Sequence, residues 1–279
     1  MVAQNRIEVW RAEKFNMFGP FMKKKERIGR IYERLRAEPR QWRVGELAGM
    51  YGVSPLTIRR DLKEMERQNL ILRTHGGAIA AGTVADSPYY RRVSSNFELK
   101  NMIGHIAAHQ VTPGQTILIN DGSTCYHLAS NLGGRVPLTV YTNSIPMISE
   151  LSRFEGIKVF ILGGEYNPGL FYTVGSLMER MLEMLEFDTV FLGTDGIDCE
   201  GRCLSQDAEM ARATEVMLRR GRRRILLADH TKLNAGGNIA YGNLENFDLW
   251  ITTPGIPADT REKFDSMITL MEAEPCPTQ

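Results

Sequence analysis

Apolar and polar residues follow two different rhythms along this chain, and the change of rhythm divides it. From residue 23 to residue 67 the apolar positions recur every three or four residues. Ile28, Ile31, Tyr32 and Leu35 share one face of a helix whose other face carries Lys24, Lys25, Arg27, Arg30 and Arg34, and Pro39 ends it. Leu47, Ala48 and Tyr51 are the apolar set of a short second helix over residues 45–51. Gly52 then turns the chain, and Ile58, Leu62 and Met65 mark the buried side of a third helix. Two helices joined by such a turn make a helix-turn-helix. Next come a strand at 70–74, a turn at His75-Gly76-Gly77 and a return strand at 78–80, which predict a hairpin wing beside the third helix.

Residues 82–97 are polar, are broken by Pro88, and read as a linker. After a helix at 99–109, the pattern alternates. Strands are predicted at 116–120, 138–141, 158–162, 189–193, 224–228 and 249–252. Helices are predicted at 124–131, 144–151, 175–185, 207–219 and 259–266. Strand, tight turn and helix in repetition predict βαβ units and a mainly parallel sheet covered on both faces. The expected fold class is α/β: an N-terminal winged helix-turn-helix joined to a larger C-terminal α/β domain. The expected layout is an N-terminal extension (1–22), a DNA-binding module (23–81), the linker (82–97) and a ligand-binding domain (98–279).

The third helix carries the first candidate chemistry. Ser54 is placed to accept a hydrogen bond from the helix start, and Pro55 follows where its missing N–H costs nothing. With Ile58 and Leu62 turned inward, Thr57, Arg59, Arg60 and Lys63 are left on a cationic, hydrogen-bonding side. A sharply started helix of this kind suits insertion of its N-terminal end into a DNA major groove. Arg73 and His75 would lie on the wing, within reach of phosphate or the minor groove. Charge supports this. The whole chain has a formal net charge of +1, but residues 1–82 hold 17 Lys and Arg against 9 Asp and Glu, and the remainder is net acidic at −7. A basic module joined to an acidic one points to a polyanion partner for the first part alone.

In the second part, chemistry is expected at the carboxyl ends of the strands. Asn120-Asp121-Gly122-Ser123-Thr124 offers backbone donors, hydroxyls and a helix start at one point, which suits phosphate. Asn143 follows another strand, Gly163-Gly164 allow close approach to backbone, Asp195-Gly196 bring a carboxylate, and Lys232 brings a cation. No GxGxxG and no GxxxxGK[ST] occurs, which argues against a dinucleotide and an ATPase. A sugar phosphate fits better, with no cofactor expected. Cys125, Cys199, Cys203 and Cys276 lack disulfide-framework or zinc spacing, so no metal is expected. No apolar run approaches the roughly 20 residues of a membrane span, and residues 1–22 contain no continuous apolar core of a secretory signal. A cytoplasmic location is expected.

The sequence resembles a known family. Ser54-Pro55-Leu56-Thr57-Ile58-Arg59-Arg60-Asp61-Leu62, followed by Leu70-Ile71-Leu72-Arg73-Thr74-His75-Gly76-Gly77-Ala78, looks like the N-terminal signature of the DeoR family of bacterial transcription regulators. The resemblance covers residues 24–80 and implies operator DNA as partner, usually with repression of carbohydrate catabolic genes. The extension before Lys24 is longer than the family usually shows. Residues 90–255 are also similar, through Lys100, Asp121-Gly122-Ser123-Thr124, Thr142-Asn143-Ser144, Leu162-Gly163-Gly164, Asp195-Gly196-Ile197-Asp198, Glu209 and Asp229-His230-Thr231-Lys232. Such domains look like the sugar-phosphate isomerase fold, and the implied use is sensing a phosphorylated sugar. Carried over by position, phosphate would sit near Gly122, Ser123 and Thr124, with Asp121, Asn143, Asp195, Glu209 and Lys232 along the sugar. A homodimer or homotetramer is expected. The alternative is a sugar-phosphate isomerase with an appended DNA-binding domain, since Asp195, Asp198, Glu209 and Lys232 are groups of the kind isomerisation needs.

Overall fold

The computed structural model describes residues 22–274 apart from 39, 69, 75 and 82–86. The extension (all but Met22), His75 and residues 82–86 of the predicted linker therefore lie outside the described residues. The chain divides between Ser87 and Pro88 into two compact units.

The N-terminal unit is a winged helix-turn-helix. Its helices are α1 (Lys24–Ala37), α2 (Val44–Tyr51) and α3 (Pro55–Arg67), and its strands are β1 (Trp42–Arg43), β2 (Ile71–Thr74) and β3 (Gly77–Ala80). The strands form an antiparallel sheet in the order β1-β3-β2. The predicted apolar faces meet in one core: Ile31 and Leu35 from α1, Leu47 and Ala48 from α2, Ile58, Leu62 and Met65 from α3, with Trp42, Ile71 and Ala78 from the sheet. Gly52 ends α2 in the left-handed region at φ 62°, which a glycine adopts at least cost. Gly77 is required for a different reason: a Cβ there would lie 2.0 Å from the Trp42 carbonyl oxygen across the β1–β3 pair. Among the described residues, one charged pair is buried in this unit. The Arg27 guanidinium of α1 donates from Nε to Asp61 Oδ2 of α3 at 2.6 Å, and from Nη2 to Oδ1 at 3.2 Å.

The C-terminal unit is built on a seven-stranded parallel sheet in the order β15-β14-β12-β9-β4-β5-β6. These strands are β4 (Thr116–Ile119), β5 (Leu138–Thr142), β6 (Ile157–Ile161), β9 (Phe187–Gly193), β12 (Gly221–Leu227), β14 (Leu249–Thr252) and β15 (Leu270–Glu272). Alternate side chains on each strand feed two cores. Ile117, Ile119, Phe191, Ile225, Leu227 and Ile251 face helices α4 (Pro88–Ser94), α5 (Phe97–Ala108), α6 (Ser123–Ser130) and α7 (Ile145–Leu151). Leu118, Val190, Leu192, Leu226 and Trp250 face α8 (Ser176–Glu183), α9 (Ala208–Arg219) and α10 (Ala258–Asp265). Fully buried strands on both faces are what helices on both sides of a parallel sheet require.

The structure departs from the sequence reading in four places. Residues 88–94 of the predicted linker are helix α4, with Tyr89 and Val93 fully buried in the core of the larger unit. Pro88 occupies the helix start, so it opens an element where it was read as a break. A hairpin of β7 (Glu165–Asn167) and β8 (Tyr172–Val174) follows Gly164, and a small antiparallel sheet joins β10 (Gly196–Ile197), β11 (Arg202–Ser205) and β13 (Ile239–Asn243). The edge strand β15 was also not anticipated.

Removing one partner of a buried ion pair leaves the other charged and desolvated. Asp61→Ala is therefore expected to destabilise the N-terminal unit by about 3 kcal/mol, while the joint change Arg27→Met with Asp61→Leu recovers most of that. Calorimetric unfolding of the full chain reads both; an Asp61→Ala transition at the parental temperature would show that the pair holds nothing together.

Candidate nucleic-acid interface and anion pocket

In the N-terminal unit the helix start forms as its residues dictate. Ser54 is the N-cap, its Oγ accepts from the Thr57 N–H at 3.1 Å, and it lies 2.9 Å from Thr57 Oγ1. Pro55 occupies the first turn. Burial of Ile58, Leu62 and Met65 turns Arg59, Arg60 and Lys63 to the surface, where all three are exposed. Arg73 on β2 is half-buried and reaches Glu66 of α3 at 3.9 Å, so part of its charge is used to hold the wing to the helix. Ser54, Pro55, Thr57, Arg59, Arg60 and Lys63 thus stand together on one helix, with Arg73 behind it.

In the larger unit the strand order reverses at β4. The chain steps outward through β5 and β6, then returns to place β9 on the other side of β4. A crevice opens where the two directions part. The Asn120 side chain bridges it: Oδ1 accepts from the Gly193 N–H at 2.9 Å and from Cys125 Sγ at 3.1 Å. Burial pushes the Cys125 thiol well up, so it remains neutral. Above this bridge lies a cleft that opens to solvent.

Of the predicted residues, Asp121, Gly122, Ser123, Thr124, Asp195 and Lys232 line the cleft. No side chain caps α6, whose first turn begins at Ser123. Its N–H groups and the positive end of its dipole therefore favour an anion. Asn143 is buried one layer below: its Oδ1 accepts from the Asp121 N–H at 2.8 Å and its Nδ2 donates to the Thr173 carbonyl at 3.0 Å. Gly163, Gly164, Gly196 and Glu209 are not among the lining residues. A Cβ on Gly164 would meet the Val174 carbonyl oxygen at 2.2 Å, and one on Gly196 the Ala235 carbonyl oxygen at 2.2 Å. Both glycines admit the chain's own backbone. Glu209 is exposed in the first turn of α9.

Sequence reasoning missed a second cation at the cleft. Arg92, within the predicted linker, projects from α4 into the lining. One guanidinium nitrogen lies 3.5 Å from Asp195 Oδ1, and its buried Nε has no hydrogen-bond partner among the described residues. Its carbonyl oxygen accepts from Lys100 Nζ, which also donates to the Ser95 carbonyl at 2.7 Å. Lys100 is 3% exposed, and burial, with the neighbouring Lys232, pulls its pKa down to about 8. Asn96 donates to Thr231 Oγ1 at 3.1 Å, tying the α4–α5 turn to the segment that carries Lys232. The useful sequence signal was Tyr89 and Val93, one helical turn apart with Arg91 and Arg92 between them. Asp207, Gln206 and Tyr241 also line the cleft. Asp207 Oδ1 accepts from the Met210 N–H at 2.8 Å, and Asp195 Oδ2 from the Gln206 N–H at 2.9 Å.

A family model described as a DeoR-like helix-turn-helix domain matches residues 27–84, and one described as a DeoR C terminal sensor domain matches residues 95–253. The chain belongs to the DeoR family. Similar DeoR-type proteins include the HTH-type transcriptional regulator GlpR of Haloferax volcanii, 32% identical over 80% of this chain and 88% of that protein. The glycerol-3-phosphate regulon repressor of Escherichia coli K12 is 30% identical over 78% and 86%. The HTH-type transcriptional repressor GlcR of Bacillus subtilis 168 is 34% identical over 74% and 80%. Among solved structures, ribose 5 phosphate isomerase A from Neisseria gonorrhoeae is 17% identical, with a TM-score of 0.36 over 49% of this chain and 53% of that one. As a DeoR-family member, the chain is a DNA-binding transcriptional regulator.

Among the described residues no group of three or more His, Cys, Asp or Glu side chains is placed to hold a metal ion, and no helix is long and apolar enough to cross a membrane.

Asp121 supplies a measurable signature of the pocket. Burial raises its carboxyl from 3.8 to about 6, against the opposing pull of Arg92 and of Ser144 Oγ, which donates to it at 2.9 Å. The folded protein then keeps a proton that the unfolded chain has lost between about pH 4 and about pH 6, so stability falls as pH rises through that window. Asp121→Asn is expected to flatten this decline in urea melts. A decline of the same size in the variant would assign the proton to another group.

Proposed function

We propose that this regulator is a repressor of carbohydrate catabolic genes whose operator binding responds to a phosphorylated sugar in the β4–β9 crevice. The carrying observation is the charge layout of that cleft. An uncapped helix start at Ser123 and two cations, Arg92 and Lys232, suit a phosphate. Asp121, Asp195 and Asp207 suit hydroxyl groups. The printed names of its relatives, which include a glycerol-3-phosphate regulon repressor, support the same ligand class. The pocket carboxylates already hold backbone N–H groups or Ser144, which favours binding over proton abstraction and hence a sensor over an isomerase. No cofactor enters this mechanism, and the protein acts in the cytoplasm.

On this reading, Ser54, Pro55, Thr57, Arg59, Arg60, Lys63, Arg73 and His75 form the DNA-contacting set, acting from a homodimer or homotetramer on repeated half-sites. The effector acts by population shift: it favours one arrangement of the assembly and so alters operator affinity. Arg92 exchanges Asp195 for the ligand's anionic group as the pocket fills.

The test uses duplexes enriched from a random pool and a panel of pentose, hexose and triose phosphates. Arg59→Ala and Arg60→Ala are each expected to weaken duplex binding about tenfold, to reduce the salt slope by about 1 if the lost contact is to phosphate, and to leave sugar-phosphate thermal shifts intact. Unchanged duplex affinity in both would remove α3 from the interface. Ser123→Glu, which places a carboxylate at the anion position, is expected to abolish the sugar-phosphate response while duplex binding persists. A retained response would move the anion site elsewhere, and turnover of any panel member would favour the isomerase reading.

A further inference from the structure

We infer that Leu56 is a base-reading residue whose side chain packs on the C5-methyl group of a thymine in the major groove. This rests on the proposed use of α3 as the DNA-contacting helix. Leu56 lies in the first turn of α3 and is 54% exposed. Arg59, Arg60 and Lys63 lie three, four and seven residues after Leu56, so the four share the face opposite Ile58, Leu62 and Met65. That face therefore has an apolar tip and a cationic body.

The occupant follows from this juxtaposition. The cations one turn further on attract phosphate, and a helix held by phosphate contacts brings its first residues to the base edges. In the major groove the apolar group on offer is the thymine methyl. A polyanion that also presents a methyl group matches both halves of the face, in a part of the chain with a balance of +8. The other exposed large apolar residue described in this unit, Met50, lies near the end of α2, on the approach to the same turn.

The experiment replaces each dT of an enriched duplex singly by dU, which deletes only the methyl group, and measures affinity for the full chain and for Leu56→Ala. At one position in each half-site, dU is expected to weaken binding of the parent protein about fourfold, the worth of one buried methyl-sized group. Leu56→Ala is expected to bind the dT and dU duplexes alike at that position. Its melting temperature should match the parent's, because both residues are strong helix formers and the site is solvent-exposed. Coincident dU profiles for the two proteins would overturn the inference. If Arg59→Ala and Arg60→Ala weaken binding in that same experiment, only the role of Leu56 falls. If they do not, or if no duplex is enriched, the assignment of α3 falls with it.

Discussion

The reversal of strand order at β4 is the constraint on which the larger unit depends. Two neighbouring parallel strands whose connections run in opposite directions leave their carboxyl ends without a covering loop between them. Asn120 closes the floor of that gap with one side-chain oxygen, tying β4 to the end of β9. Everything polar in the pocket is arranged above this tie: the start of α6, the carboxylates that follow β9, and the cations brought in from α4 and from the turn after β12. The two hydrophobic cores hold the sheet rigid on either side, so the pocket is defined by elements that do not themselves need a ligand to form.

In the smaller unit the deciding balance is between cations that are consumed and cations that are left over. Arg27 is spent internally on Asp61, and Arg73 partly on Glu66. Trp42 is covered by the Arg40 guanidinium at 3.7 Å from its ring centroid, so that charge too is committed to packing. Arg59, Arg60 and Lys63 remain on the surface of α3. Part of the excess positive charge is thereby used inside the fold, while α3 keeps Arg59, Arg60 and Lys63 exposed.

Much of this was legible before any coordinates. The third helix of the smaller unit was, because Ser54, Pro55 and the Ile58–Leu62–Met65 spacing are local signals that agree with one another. Six of the seven strands of the parallel sheet were, because each contains a short apolar run between turn signals. The antiparallel sheet was not: β10 is two residues long and pairs with β11, which pairs in turn with a strand more than thirty residues further on. No local pattern encodes such a partner. The glycines show another limit. Gly164 and Gly196 do mark close backbone approach, but what approaches is Val174 and Ala235 of the same chain. Arg92 was hidden because Pro88 was taken as a breaker where it serves as a helix opener.

Arg92 has a property that neither of its contacts has alone. Its main-chain carbonyl is clamped by the buried Lys100 ammonium, while its side chain hangs in the pocket beside Asp195. One residue thus contains both a fixed pivot and a free arm. Anything that draws on the guanidinium therefore acts on a helix whose main chain is already fixed and whose Tyr89 and Val93 are locked in the core of the larger unit.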